Sequence, residues 1–222
     1  MVAKTKKNKP ENPEKDLQAT ITDAYIDFYL NKGKKPASVY EFTSRLKIEE
    51  KDFYQFFGSF EGLEKSLWSG FLNTTLETLS ASGEYESYPV KEKLLSFYYT
   101  LAEVLKSKRS FILLSTEKEA ELLKNHTLSK AREVFQAYVS GLMEEGMESG
   151  EIVKRPYITE RYPELLWLQL LFVLRFWIKD ESAGFEKTDA AIEKAVKVSF
   201  DLMGPGAVDS LIDMAKFLYH NR

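Results

Sequence analysis

PASVYEFTSRLKIEEKDFYQFFGSFEGL, residues 36–63, is the stretch that decides the fold of this chain. Its apolar residues recur every three or four positions, which predicts a short helix over about Val39–Leu46 and another over about Glu49–Phe57. Lys47 falls at the corner between them, and Ser59 suits the N-cap of a longer helix that follows. Two short helices joined by a tight corner are typical of a helix-turn-helix.

The segments on either side of this stretch also predict helices. A first helix is expected to end at Gly33, which suits a left-handed cap. Later amphipathic segments are separated by breaks at SASGEYESYP (80–89), EEGMESGEIV (144–153) and Gly204-Pro205-Gly206. We therefore expect an all-α fold of about ten helices without strands. The expected divisions are a disordered basic arm over residues 1–14, a helix-turn-helix domain over 15–64 and a helical body over 65–222.

Composition excludes several classes of protein. The 222 residues contain no cysteine, which excludes disulfides, thiolate metal sites and cysteine nucleophiles. His126 and His220 lie far apart in the sequence, so a histidine metal centre is not expected. The chain carries no hydrolase, phosphate-loop or dinucleotide motif. We therefore expect no catalytic residues, no metal and no cofactor.

The most apolar stretch, Leu165–Ile178, is too short for a membrane anchor. It has 14 residues and is interrupted by Gln169 and Arg175, whereas a spanning helix needs about 20 apolar residues. We interpret it as a buried helix of a cytoplasmic protein with no membrane partner.

The apolar positions around the corner carry a family resemblance. Phe53, Tyr54 and Phe57 occupy the second short helix, and Ser59 with Leu63 opens the next helix. This pattern resembles the TetR family of bacterial repressors. The resemblance implies a DNA-binding head whose third helix enters the major groove, and a body that dimerises through its last two long helices and encloses a ligand cavity.

The polar positions depart from the family pattern. Lys47 stands where the family has a turn glycine, Glu49 and Glu50 open the recognition helix, and Asp52 replaces a threonine that contacts phosphate. Residues 36–65 contain four basic and six acidic side chains, so their net charge is −2. Carboxylates oppose phosphate binding, although glutamate can accept a hydrogen bond from a cytosine amino group.

The expected partner of this head is double-stranded DNA, with Lys4 to Lys9 of the arm supplying additional positive charge. The expected DNA-contacting residues are Lys34, Lys35, Ser38, Lys47, Glu49, Glu50, Lys51, Tyr54 and Gln55.

The body is expected to form a homodimer through residues of about 164–203. Leu165–Ile178 is apolar almost all round, which suits a helix covered by its own domain and by a partner. A central helix of a monomeric bundle is the alternative. The helix over Val208–Tyr219 would be an extra brace over the dimer pair.

Aromatic residues of the body predict an apolar ligand, either a small molecule or a lipid. Arg175 lies in an apolar helix and needs an acidic partner, which would be Glu103 or a ligand acid. The expected ligand-binding residues are Phe97, Tyr98, Phe111, Phe135, Tyr138, Trp167, Phe172 and Arg175.

Three functions are compatible with these features. The first is a ligand-responsive transcriptional regulator that binds operator DNA as a dimer. The second is a lipid- or small-molecule-binding protein on the same scaffold that has lost DNA binding. The third is a dimer whose acidic head contacts another protein.

Overall fold

The computed structural model describes residues 13–116 and 126–221, and these residues form ten α-helices and no strand. The predicted all-α class is therefore confirmed. The helices are α1 (Pro13–Lys32), α2 (Val39–Leu46), α3 (Glu50–Tyr54), α4 (Phe60–Ser80), α5 (Val90–Lys106), α6 (Arg109–Ser115), α7 (Ser129–Ser149), α8 (Tyr162–Lys179), α9 (Glu186–Met203) and α10 (Ala207–His220).

The chain divides into two compact units, residues 1–67 and 68–222. Most of the predicted basic arm lies outside the described residues, and its last two positions, Pro13 and Glu14, already belong to α1. None of the helices in the described part of the chain is both long enough and apolar enough to cross a bilayer.

The first unit is organised around an aromatic core. Tyr25 of α1, Phe42 of α2 and Phe53 of α3 are fully or almost fully buried. The Phe42 and Phe53 rings lie 6.2 Å apart at an edge-to-face angle, and Phe60 contacts both. Burial of each large side chain stabilises the fold by about 2 kcal/mol. This core fixes the short helices α2 and α3, which have few backbone hydrogen bonds of their own.

In the second unit, α8 packs between α7 and α9, and α5 packs against both α7 and α9. One face of α8 is buried through residues such as Leu170, Leu174 and Trp177. Its opposite face leaves Leu165, Leu168 and Phe172 about half exposed. The prediction that α8 is apolar almost all round therefore describes two faces, only one of which is covered within the chain.

Arg109 fixes the C-terminal end of α8. Its guanidinium donates to the backbone carbonyls of Trp177, Ile178 and Asp180 at 2.9–3.3 Å. It also lies over the Trp177 and Phe185 rings, 4.5 and 4.6 Å from their centroids. A cation at this end satisfies carbonyls that the helix leaves without donors.

The Asp180 carboxylate organises the turn between α8 and α9. It accepts hydrogen bonds from the backbone N–H and hydroxyl groups of Ser182 and Thr188, at 2.6–2.9 Å. Burial by itself raises the pKa of Asp180, but these four donors outweigh burial and lower it well below its usual range.

Arg155 joins α9 to α10. Its guanidinium donates twice to the Asp209 carboxylate, at 2.7 and 2.9 Å. It also donates to the Tyr162 hydroxyl and to the carbonyls at the end of α9, those of Leu202, Met203 and Gly204, at 2.7–3.1 Å. The side chain is 4% exposed. Six charge-assisted bonds hold this connection in one geometry.

Candidate functional site

The corner between α2 and α3 has the geometry of a helix-turn-helix. Ser38 caps α2, because its hydroxyl accepts from the Glu41 backbone N–H at 3.1 Å. The helix ends at Lys47, whose φ of 57° and ψ of 38° are left-handed. The predicted corner at Lys47 is therefore confirmed, and it places a non-glycine residue at positive φ. Such a conformation costs on the order of 1 kcal/mol, which the aromatic core beneath the corner offsets.

The exposed face of α3 carries the predicted polar residues. Glu49, Lys51, Tyr54 and Gln55 are exposed, whereas Glu50 is partly buried. Asp52, predicted to occupy a phosphate-contacting position, instead caps α3: its carboxylate accepts from the Glu49 backbone N–H at 3.0 Å. Its charge therefore helps to hold the helix start.

Ion pairs within the first unit engage four cations. They join Lys35 to Glu64 at 2.8 Å, Arg45 to Glu41 at 2.9 Å, Lys51 to Glu49 at 2.7 Å and Lys65 to Glu61 at 2.7 Å. The hydrogen bond to Glu49 and its charge raise the pKa of Lys51. Lys34 and Lys47 are exposed, and neither forms an ion pair with a described residue.

Glu64 was not predicted from the sequence as a functional residue, yet it ties the first unit together. It is 7% exposed and accepts from the Tyr25 hydroxyl at 2.6 Å as well as from Lys35. Burial and the Glu64 carboxylate both raise the pKa of Tyr25. The charge of Lys35, a predicted DNA contact, is therefore partly neutralised by Glu64 within the first unit. Gln55, another predicted contact, donates to Glu14 at 3.4 Å.

Most of the predicted ligand-binding aromatics come together in the core of the second unit. The Phe97 ring stacks on Tyr138 with centroids 4.7 Å apart. Phe135 lies 5.5 Å from Phe97 and 6.0 Å from Trp167. Tyr98 and Phe111 are buried as well, at 1% and 2% exposure.

Phe172 and Arg175 lie elsewhere, on the uncovered face of α8. Arg175 is exposed rather than deep in the helix packing, so the expectation of a buried guanidinium is wrong. Glu103, its proposed partner, pairs with Lys106 at 3.2 Å. The physical reason is that α8 has an apolar outer face, and hydrophobicity alone does not separate an outer face from an inner one.

A polar group at one end of the aromatic core was missed. Lys93 is buried, and its ammonium donates to Glu145 at 2.7 Å. The Tyr138 hydroxyl lies 2.8 Å from the Tyr85 hydroxyl and 3.2 Å from the Lys93 carbonyl. Burial raises the pKa of both tyrosines. The signal in the sequence was a lysine within the apolar stripe of α5, whose burial requires a carboxylate partner.

The Tyr98 hydroxyl is the least satisfied polar group of this core. It is buried and has no hydrogen-bond partner among the described residues. Burial raises its pKa, so the group stays a neutral donor. A buried donor without an acceptor costs about 1–3 kcal/mol, which a bound molecule with an acceptor would recover.

An open apolar groove of about 790 Å³ runs between α8 and α9. Large side chains that stay more than half exposed border this face: Leu165, Leu168, Phe172, Val198 and Leu202. Gln169 lines the groove and accepts from the Ser199 hydroxyl at 3.0 Å. An apolar surface of this extent marks an interaction site.

The structure is similar to solved structures of other proteins. A protein from Syntrophomonas wolfei assigned to the TetR family of transcriptional regulators aligns with a TM-score of 0.64 and 17% identity, over 85% of this chain and 95% of that one. A Shewanella protein with the same assignment gives 0.58 and 14%, over 84% and 97%. A third, from Mesorhizobium loti, gives 0.57 and 13%, over 87% and 100%. These likenesses establish the fold.

No curated protein sequence matches the chain. Residues 93–218 match the family model described as "Tetracyclin repressor-like, C-terminal domain". That match spans more than half of the chain, from α5 through nearly all of α10. The chain belongs to the TetR family of transcriptional regulators.

Proposed function

We propose that this protein binds operator DNA as a homodimer and that an apolar ligand in its body regulates the binding. The observation that carries the proposal is the tight corner at Lys47, which presents the exposed side chains of α3 as one face. In a helix-turn-helix the second helix of the motif enters the major groove with its N-terminal residues against the base edges. Glu49, Lys51 and Gln55 would then face bases, while Tyr54 would lie beside them.

Ion pairs within the first unit leave few of its cations available to bind DNA phosphates. Among the predicted DNA contacts, Lys34 and Lys47 are exposed cations that form no ion pair with a described residue, so they are the best candidates for phosphate binding. Lys51 shares its charge with Glu49, and Lys35 shares its charge with Glu64. Because each neutralised phosphate contributes about 0.9 to the salt slope, we expect a shallow dependence of DNA affinity on salt.

Dimerisation would use the groove face of α8 and α9, within residues of about 164–203. Five half-exposed apolar side chains on two adjacent helices form a surface that a two-fold related copy can cover with the same surface. The two heads of such a dimer would contact successive half-sites of a duplex.

The ligand would bind in the aromatic core of the body. Phe97, Phe135 and Trp167 are buried apolar rings that would have to part to admit a ligand, and the Tyr98 hydroxyl is a buried donor without a described acceptor. This combination fits an apolar small molecule or lipid that carries a hydrogen-bond acceptor. Ligand and DNA would then oppose each other through one coupling free energy, because each binds preferentially to a different arrangement of the dimer.

DNA binding can be tested by fluorescence anisotropy with duplexes from the region upstream of the gene at 50 mM salt. We expect saturable binding, and the double variant Lys34→Gln/Lys47→Gln should lower the salt slope by about 2 per head if both lysines neutralise phosphates. Lys130→Gln, an exposed lysine of α7, is the matched control and should bind like the wild type. An unchanged slope in the double variant would contradict the assigned contacts.

A second candidate function is a ligand-binding dimer that has lost DNA binding. It is favoured by one observation, the four internal ion pairs that occupy cations of the head. If no duplex binds at 50 mM salt while native mass spectrometry finds a co-purified apolar molecule, this second function replaces the first.

A further inference from the structure

Two side chains of opposite charge form an exposed pair at the start of α3. The Lys51 ammonium lies 2.7 Å from the Glu49 carboxylate, and the two side chains are 74% and 71% exposed. In the three other ion pairs given above for the first unit, at least one partner is half exposed or less. The pair of Glu49 and Lys51 therefore presents an acceptor and a donor side by side to solvent.

This pair changes how the acidic start of α3 would approach DNA. A carboxylate without a nearby cation opposes binding to the phosphates. The charge of Glu49 is balanced by Lys51, and the Asp52 carboxylate is bound to the Glu49 backbone N–H. The start of α3 would therefore meet a duplex with less repulsion than its number of acidic residues indicates.

The pair also keeps hydrogen-bonding positions for a base pair. A carboxylate has about four acceptor positions and an ammonium has three donors, and the contact between them uses one of each. In the major groove, cytosine presents the N4 amino donor, and the paired guanine presents the acceptors O6 and N7. Glutamate accepts from cytosine N4, and lysine donates to guanine O6 and N7. One glutamate–lysine pair is therefore complementary to both bases of a C·G pair.

The other base pairs fit this arrangement less well. A T·A pair turns the thymine O4 acceptor and methyl group toward the carboxylate, and a G·C pair turns two guanine acceptors toward it. An A·T pair offers an amino donor to the carboxylate, but the lysine then finds one thymine acceptor in place of two guanine acceptors. C·G in one orientation is therefore the best fit, and A·T is the second.

We infer that Glu49 and Lys51 act as one unit that recognises a single C·G base pair in each half-site, with Glu49 on the cytosine and Lys51 on the guanine. The inference rests on the proposed DNA binding and names the base pair that this part of α3 selects. Because the unit has no net charge, it adds discrimination between sequences without increasing the salt dependence of binding.

The base preference can be tested on the site that the wild-type chain enriches from a random duplex pool at 50 mM salt. We expect a C·G pair at one position of each half-site. Replacing that pair by T·A in one half-site should weaken binding roughly 5- to 150-fold, measured by fluorescence anisotropy. The ratio of the two affinities should stay the same at 200 mM salt, although both affinities fall.

Two variants of the unit change the preference in different ways. Glu49→Gln should change the preferred base at that position from cytosine to adenine, because glutamine pairs with adenine N6 and N7. Lys51→Met should lower the preference for C·G over A·T at least fivefold, because the lysine distinguishes guanine from thymine. Both side chains are exposed, so circular dichroism should stay unchanged.

Glu61→Gln is the matched control. Glu61 is 59% exposed and pairs with Lys65 at 2.7 Å within α4, so this variant removes the same charge as Glu49→Gln and also breaks an ion pair. It should keep the base preference of the wild type. A change of preference in Glu61→Gln equal to that in Glu49→Gln would overturn the inference, because charge alone would then explain both.

The remaining outcomes separate the inference from the proposed function. If Glu49→Gln and Lys51→Met bind the enriched site with the base preference of the wild type, DNA binding stands and the inference is overturned. A lower salt slope in Lys51→Met with an unchanged base preference would also overturn it, because Lys51 would then bind a phosphate. If the wild-type chain enriches no duplex, the proposed DNA binding and the inference are both overturned.

Discussion

Replacing Arg155 by methionine should destabilise the second unit strongly. The substitution keeps much of the side-chain volume and removes all six hydrogen bonds that the guanidinium donates. The Met203 carbonyl keeps a bond from the Val153 N–H at 2.9 Å. The Leu202 and Gly204 carbonyls lose the guanidinium as a donor.

The magnitude follows from the Gly204 carbonyl and the Tyr162 hydroxyl, whose bonds to Arg155 are buried, whereas the Leu202 carbonyl is only partly buried and can be reached by water. Each buried group left without a partner costs about 1–3 kcal/mol, so we expect a loss of about 4 kcal/mol in the free energy of unfolding. At 2–4 °C per kcal/mol for a domain of this size, the melting temperature should fall by about 10 °C. The Asp209 carboxylate is partly exposed, so water replaces its partner at little cost. The free energy of unfolding of Arg155→Lys should lie between those of the wild type and Arg155→Met, because a lysine ammonium reaches fewer acceptors than a guanidinium.

Urea unfolding followed by circular dichroism measures this loss. Arg132→Met is the matched control, because Arg132 forms an ion pair with Glu164 at the surface, where both side chains are 45% exposed. Exposed pairs contribute less than about 1 kcal/mol. Equal losses for Arg155→Met and Arg132→Met would refute the assignment of Arg155 as the residue that holds α9 and α10.

Three further substitutions test local features. Lys47→Gly relieves the left-handed conformation and should stabilise the first unit by about 1 kcal/mol; a decrease in melting temperature would contradict it. Asp180→Asn turns one of the two carboxylate oxygens, the one facing Ser182 or the one facing Thr188, into an amide donor; it removes two of the four accepted hydrogen bonds and should cost about 2 kcal/mol at pH 7. Because the folded pKa of Asp180 lies below the unfolded value of about 3.9, its carboxylate stabilises the fold above that pH and loses the effect as the pH falls further. The difference from wild type in thermal melts should therefore shrink below about pH 4, and a difference that grows there would contradict the assignment. Gly146→Ala would place a Cβ 2.6 Å from Ile152 and should cost about 1–3 kcal/mol by overpacking, measured by urea unfolding; an unchanged unfolding midpoint would contradict the close packing.

Local features of the fold were predictable because their signals lie within a few residues. The spacing of apolar residues predicted a helix over about Val39–Leu46, and the structure begins α2 at Val39, directly after the capping Ser38. Gly33, with a φ of 66°, ended α1 as predicted. At Lys47 the residue type argued against positive φ, yet the corner forms because the aromatic residues on both sides are buried together.

Contacts between distant parts of the chain were not predictable in the same way. The three hydrogen bonds of Arg109 described above and three of the six of Arg155 go to backbone carbonyls far along the sequence, and a carbonyl leaves no residue-type signal. Asp180 had a weak local signal, a serine two positions later, which is a common acceptor–donor spacing. The position of Arg175 within an apolar run suggested that its guanidinium is buried. The residue is exposed instead, because the apolar run has a second face that is not covered within the chain.

The most direct test of the proposed function is a selection of duplexes from a random-sequence pool with the 222-residue chain at 50 mM salt. We expect enrichment of a two-fold symmetric site whose half-sites lie about one helical turn apart, and loss of that enrichment in the double variant Lys34→Gln/Lys47→Gln. A folded, dimeric protein that enriches no sequence over the starting pool would contradict the assignment of its helix-turn-helix to DNA.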